Sequence, residues 1–274
     1  MKKIFAIVCF CCLHVLLHAQ SDSIDYKWRK KMSYKIGEGE VWSTDGLENF
    51  YVSKNGLINK YDSVGALKFS QSIKSLGRMT QMIPVNTMKL VHFSEEQQTL
   101  CYFDNTLSAM SDCIELSDKG IVNAVLVSAS NQPNKIWVLD NLNSKLVLLG
   151  LDNQRQPQEI LNLRGVLDIE NISQIVEKNS RLYLLDREKG AYIFDLYGSL
   201  LEFIPNKSIQ QLDANEQTLF TLEGNSLYIR SLQTGESFSV KLPVEGVYEL
   251  VYRNRCFFFR TDSAVHKFEL QFSE

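Results

Sequence analysis

The sequence predicts an all-β chain that folds as a single β-propeller, best divided into six four-stranded blades. A short apolar strand, a polar turn and a second apolar strand recur along it at intervals of about 40 residues, a period carried by strands that marks propellers. The cores of the first of these strands are Phe50-Tyr51-Val52, Leu90-Val91-His92, Ile136-Trp137-Val138, Leu182-Tyr183-Leu184, Leu219-Phe220-Thr221 and Cys256-Phe257-Phe258. Around them β-branched and aromatic residues alternate with polar ones at a period of two, which suits strands and not helices. The turns are also alike: Asp62-Ser63-Val64-Gly65 is echoed by Asp195-Leu196-Tyr197-Gly198 and Ser231-Leu232-Gln233-Thr234-Gly235. Asp caps backbone N–H groups there, and Gly takes the positive φ of a tight turn.

The fourth unit serves as a template. Ile172 to Val176 is its inner strand, followed by a turn over Glu177 to Ser180. Arg181 to Leu185, Ala191 to Phe194 and Leu200 to Ile204 supply the second, third and outer strands. Equivalent inner strands fall near Glu40-Val41-Trp42, Met79 to Ile83, Val122 to Val127, Ile209 to Asp213 and Tyr248 to Val251. The last unit ends without an outer strand, at Val265 to Leu270 and the few residues beyond. The stretch Tyr26 to Ile36 is too apolar for a free tail, with Trp28, Met32 and Tyr34 in it. It is expected to close the final blade and so remove two sheet edges.

Before that stretch lies a leader. Lys2 and Lys3 form a basic head, Ile4 to Leu17 an apolar run, and His18-Ala19 precede a polar segment. The pattern reads as a secretory signal over residues 1–19, cleaved after Ala19, with the propeller domain filling residues 20–274. The apolar run is short for a membrane span. Cys9, Cys11 and Cys12 lie within it, but bulky residues before them do not fit a lipid-attachment motif. Loss of Lys2 and Lys3 takes the formal charge from −3 to −5. With no basic cluster, this argues against nucleic acid and anionic membrane surfaces. With 45% apolar and 11% aromatic residues, the remaining chain can bury one large core.

The pattern of strand spacing and Asp-x-x-Gly turns resembles the six-bladed propellers of the NHL, TolB-like and gluconolactonase-like groups over essentially all of the mature chain. The Trp-Asp pairs of WD40 repeats, the Gly-Gly pairs of kelch repeats and the boxes of sialidases are absent. The uneven spacing leaves five or seven blades open. A lactonase-type resemblance implies one divalent cation, calcium or another, at the mouth of the central channel, held by oxygens from the inner strands. Glu40, Asn123, Asn171, Asp213 and Glu249 lie in or beside inner strands and are the candidates for it. Turn capping is the simpler role for such residues.

Other chemistry finds little support. Only His92 and His266 lie outside the leader, both in expected strands, too few for a histidine-rich metal site. Phosphate loops, nucleophile elbows and His-Glu-x-x-His helices are missing. Trp42, Trp137, Tyr183 and Phe220 could line a glycan groove, although at this spacing they read as blade packing. Cys101 and Cys113 flank a turn centred near Leu107, where they could face each other across a hairpin and form a disulfide in an oxidising compartment. Cys256 reads as a buried thiol. Ser23, Ser63 and Ser263 sit in Asp-Ser-aliphatic triplets that look like Bacteroidetes O-glycosylation acceptors.

The expected function is therefore an exported, non-enzymatic propeller with no cofactor, monomeric on its own, that binds an envelope protein or outer-membrane complex, most readily in the periplasm. A cation-dependent hydrolase or lactonase and a glycan-binding propeller are the rivals. A hydrolase requires several oxygen ligands converging at one channel mouth. A scaffold requires a plugged channel and an apolar patch elsewhere.

Overall fold

The computed structural model describes residues 25–110, 112–151 and 157–272. The expected leader and Ser23 lie outside the described residues. Strand β1 (Tyr26–Lys35) comes first among the described residues. Blade 1 is β2 (Val41–Thr44), β3 (Phe50–Lys54), β4 (Leu57–Tyr61) and β5 (Leu67–Ser72). Blade 2 is β6 (Gln81–Asn86), β7 (Lys89–Ser94), β8 (Thr99–Asp104) and β9 (Ile114–Glu115). Blade 3 is β10 (Ala124–Ala129), β11 (Lys135–Asp140), β12 (Lys145–Gly150) and β13 (Gln158–Ile160). Blade 4 is β14 (Ile172–Lys178), β15 (Arg181–Asp186), β16 (Gly190–Asp195) and β17 (Leu200–Ile204). Blade 5 is β18 (Gln211–Ala214), β19 (Thr218–Glu223), β20 (Ser226–Ser231) and β21 (Ser237–Lys241). Blade 6 is β22 (Glu249–Arg253), β23 (Cys256–Arg260) and β24 (Ala264–Phe272), completed on its outer edge by β1. Six blades are thus present, and the N-terminal strand closes the last.

The apolar core is distributed between blades, and strand alternation is the reason. In β11, Ile136 and Val138 point into the cluster shared with blade 2, while Trp137 and Leu139 point into the cluster shared with blade 4. Both faces of the second strands are therefore buried, which is why they read as unbroken apolar runs. Four further clusters fill the other blade boundaries.

The expected turns form by the expected chemistry. Asp62 Oδ1 accepts from the N–H groups of Val64 and Ala66, at 3.1 and 2.8 Å, with Gly65 at φ +86°. Asp195 repeats this with Tyr197 and Ser199, both at 2.8 Å, beside Gly198. Asp104 builds the same turn through Thr106 and Ser108, with Leu107 at φ +63° where the others carry Gly. These bonds, led at Asp104 by one from the Thr106 hydroxyl at 2.7 Å, stabilise the ionised carboxylates, and all three are held below the usual range.

Strand limits differ from expectation in two instructive places. β14 runs on to Lys178, so its turn shrinks to Asn179-Ser180, both with positive φ, the signature of a two-residue hairpin loop. β6 runs past Pro84 to Asn86. Proline is tolerated there because the inner strand is a sheet edge and one N–H is not needed.

Closure is reinforced at several points. β1 pairs with β24 from Tyr26↔Phe272 to Lys35↔Ala264. Trp28 meets Phe257 and Phe259 edge-on at 5.5 Å each and donates its indole N–H to the Lys241 carbonyl of blade 5 at 2.8 Å. Tyr34 stacks on Phe50 of blade 1 at 3.9 Å. Arg260, almost wholly buried, donates to the carbonyls of Ile36 and Gly37 at 3.3 and 2.8 Å. Lys267 pairs with Glu48 of blade 1. One strand thereby touches both neighbours of its own blade.

Candidate functional site

Each blade enters the ring by its inner strand, so all six inner strands run the same way along the central channel. The face where they begin is called the upper face here. It carries the loops that link blades and the turns between second and third strands.

The channel wall is cross-bonded by side chains. Gln81 of β6 accepts from the N–H of Val127 at 2.8 Å and donates to its carbonyl at 3.3 Å. Gln174 of β14 does the same to Leu212, at 2.9 and 2.8 Å. Gln98, in the turn after β7, clips Ala124 at 2.7 and 2.9 Å. A primary amide offers one donor and one acceptor side by side, so it completes an open strand edge as a peptide would. Asp213 of β18 accepts from the Tyr252 N–H at 2.8 Å and from Arg253 Nη1 at 3.1 Å. Trp137 donates to Glu177 at 2.5 Å, and Trp42 donates to Glu249 across the junction of blades 1 and 6. Lys178 stands lower in the channel, where burial and the adjacent Arg253 push its ammonium pKa down.

The five candidate cation ligands do not converge. Glu40, Asn123 and Glu249 line one cavity of about 690 Å³ at the upper mouth. Asp213 lies down the channel, bound to Tyr252 and Arg253. Asn171 is on an interblade loop, donating to Asp168 Oδ2 at 3.2 Å. Within the mouth, Glu40 pairs with Lys54 at 2.6 Å and accepts from the Gly37 N–H at 2.8 Å. Burial alone would raise its carboxyl, but these partners outweigh it and hold the pKa down. Glu249 is the opposite case: burial pushes its pKa up against the pull of Trp42 and Arg260. Among the described residues no group of three or more His, Cys, Asp or Glu is placed to hold a metal ion.

The aromatic candidates for a glycan groove, Trp42, Trp137, Tyr183 and Phe220, are all buried between blades. His92 is fully buried in β7, and His266 Nδ1 shares a 2.8 Å hydrogen bond with Ser33 Oγ across the β1–β24 pairing. Neither lines the upper mouth. Cys101 and Cys113 are joined by a disulfide with Cα atoms 4.3 Å apart. It stands beside the two-residue strand β9, whose ladder is too short to hold itself. Cys256 is a buried free thiol whose pKa burial raises. Ser63 and Ser263 are exposed in turns on opposite faces.

An apolar patch occupies the upper face over blades 3 and 4. Leu142 projects from the turn after β11 and is 62% exposed. The Asn141 N–H binds the Asn123 carbonyl at 2.9 Å, and the Leu163 N–H binds the Ser144 carbonyl at 3.3 Å. These bonds bring the loops carrying Val122, Leu161 and Val166 to the two sides of Leu142, and all three are exposed. Sequence reasoning misses both this patch and the glutamine clips. Gln81 and Gln174 occupy equivalent places, opposite the fifth residue of β7 and of β15, and that repeated offset is the signal that could have found them.

No family model matches the chain, and no curated protein matches it in sequence. Solved propellers match its fold. Virginiamycin B lyase from Staphylococcus aureus is 10% identical with a TM-score of 0.59, covering 89% of this chain and 99% of the lyase. The Pan2 WD40 domain of Neurospora crassa is 9% identical with a TM-score of 0.63, covering 90% and 98%. BamB from Moraxella catarrhalis is 9% identical with a TM-score of 0.55, covering 89% and 100%. At such identities the likeness is one of architecture.

Proposed function

We propose that this chain is an exported, non-enzymatic propeller that binds a protein partner in the cell envelope. The observation that carries the reading is the set Leu142, Val122, Leu161 and Val166, large apolar side chains exposed on upper-face loops that backbone hydrogen bonds tie to one turn. Clustered exposed apolar groups of this kind mark protein contacts. The channel supports the same reading, because Gln81, Gln174 and Asp213 tie blades together. The Cys101–Cys113 disulfide and the leader pattern support export to an oxidising compartment.

A lyase of the virginiamycin B type is supported less well. A histidine-to-alanine variant of the Staphylococcus aureus enzyme is catalytically inactive, and no histidine lines the upper-mouth cavity here. A cation-dependent hydrolase would have to work with Glu40, Asn123 and Glu249 and lacks the convergence of a preformed site.

The test is crosslinking of the mature protein in its own envelope, with a photo-reactive residue at position 142 and a control at position 68 on outer strand β5. One stoichiometric protein captured from position 142, and lost when Val122→Asp and Leu161→Asp are introduced, is the expected result. Recovery of the propeller alone overturns it. Thermal stabilisation by calcium, abolished by Glu40→Gln, would then favour the hydrolase.

A further inference from the structure

A second feature of the upper face lies over blades 1, 2 and 6 and extends to Asn123, next to Val122 of the apolar patch. Two cavities meet there, sharing Gly39, Val41, Arg78 and Met79. The first, of about 630 Å³, has Lys54, Lys74 and Arg78 around it and a floor of Val41, Ile73 and Met79; Glu38 is its one acid among the described residues. The second is the channel-mouth cavity of about 690 Å³, with Glu40, Glu95, Glu96 and Glu249 around it. Its buried guanidinium, Arg260, is already bonded to two backbone carbonyls.

The exposed charges of this groove fall into two groups that meet at Arg78, which lines both cavities. Lys74 and Arg78 stand exposed on the loop between blades 1 and 2, and Glu95 and Glu96 stand exposed in the turn after β7. Among the described residues, none of these four side chains takes part in a hydrogen bond or ion pair. Lys54 and Glu40 do pair, at 2.6 Å, and mark the boundary between the two halves. Unpaired cations, Lys74 and Arg78, and unpaired acids, Glu95 and Glu96, around adjoining cavities with an apolar floor form a dipolar receptor. Pockets of this size suit a small ligand or a few residues of extended peptide, and charge complementarity selects among peptides by penalising like charges.

The geometry points to a binding groove for a short dipolar peptide segment, its acidic end over Lys74 and Arg78 and its basic end over Glu95 and Glu96, with an apolar side chain on Val41, Ile73 and Met79. An all-acidic or all-basic segment would meet repulsion in one half. The four charged residues of the groove are distinct from the four apolar residues of the patch, so a failure here leaves the envelope-binding reading standing, and the converse also holds.

The experiment is fluorescence polarisation with the mature protein and a labelled, end-blocked peptide carrying aspartates at one end, lysines at the other and leucine between. All-aspartate, all-lysine and charge-scrambled peptides are the comparisons. The ordered peptide is expected to bind at least about tenfold more tightly than each of them, and more weakly as salt rises past the screening range. Lys74→Glu with Arg78→Glu, or Glu95→Lys with Glu96→Lys, should each weaken binding about tenfold. All four changes together should restore it, because the groove is again dipolar and the peptide binds turned around. Restoration also shows that the variants are folded. Absence of binding, equal binding of all peptides, or no recovery in the fourfold variant overturns the inference.

Discussion

Replacing Trp28 by alanine tests whether the N-terminal strand is the clasp of the ring. The indole packs edge-on against Phe257, Phe259 and Phe268, with centroids 5.5, 5.5 and 6.1 Å away. Each such pair is worth about 0.5–1.5 kcal/mol beyond burial. The bond from its Nε1 to the Lys241 carbonyl adds about 1 kcal/mol. Because the ring is only partly buried, the loss should lie at the lower end of the range for large aromatic truncations, about 3 kcal/mol. For a domain of this size that corresponds to a melting temperature lower by roughly 6–12 °C. Urea unfolding followed by far-UV circular dichroism measures the free energy directly. Trp28→Phe keeps an aromatic ring at the site but loses the hydrogen bond and part of the packing, so it should cost at least about 1 kcal/mol and less than Trp28→Ala. A loss below about 1 kcal/mol for Trp28→Ala would refute the reasoning, since it would mean that β1 contributes little to closure.

Two further perturbations follow from the same geometry. Gly190 has φ +125°, and a Cβ there would lie 2.1 Å from the Ile204 carbonyl oxygen. Gly190→Ala should therefore prise β17 from β16 and cost more than about 3 kcal/mol, read as a lowered urea midpoint; a change under about 1 kcal/mol would contradict the contact. His92 titrates in the other sense from a salt-bridged histidine. Burial holds its folded pKa below the unfolded value of about 6.5, so the unfolded chain takes the proton first. Its stability contribution is complete above that value and is lost as pH falls below it, by up to about 1.4 kcal/mol per pH unit. Wild type should lose more stability than His92→Leu between neutral pH and mild acid; parallel profiles would sink the assignment.

Much of the architecture was legible because it follows from local rules. Period-2 alternation exposed the blade strands, and in β11 it sends Ile136 and Trp137 to opposite neighbours. Asp62, Asp195 and the glycines beside them disclosed turns whose bonds span at most four residues. The apolar content of Tyr26 to Ile36 implied a partner, and an unfinished last blade was the one place for it. The site was less legible. Glu40, Asn123 and Glu249 share the upper mouth, while Asp213 and Asn171 are held elsewhere by Tyr252, Arg253 and Asp168. Strand position could not separate these fates.

The sequence by itself determined the all-β class, the repeat and the closing strand, because each depends on neighbours within one blade or on the two ends of the chain. Only the tertiary structure decided which polar side chains bind the blades together and which stand free. Gln81 meets Val127 across 46 residues, and Trp42 meets Glu249 across 207. Such pairings depend on how whole blades turn about the channel, and no local pattern carries that angle. The same packing leaves Leu142 in solvent and Leu139, three residues earlier, in the core.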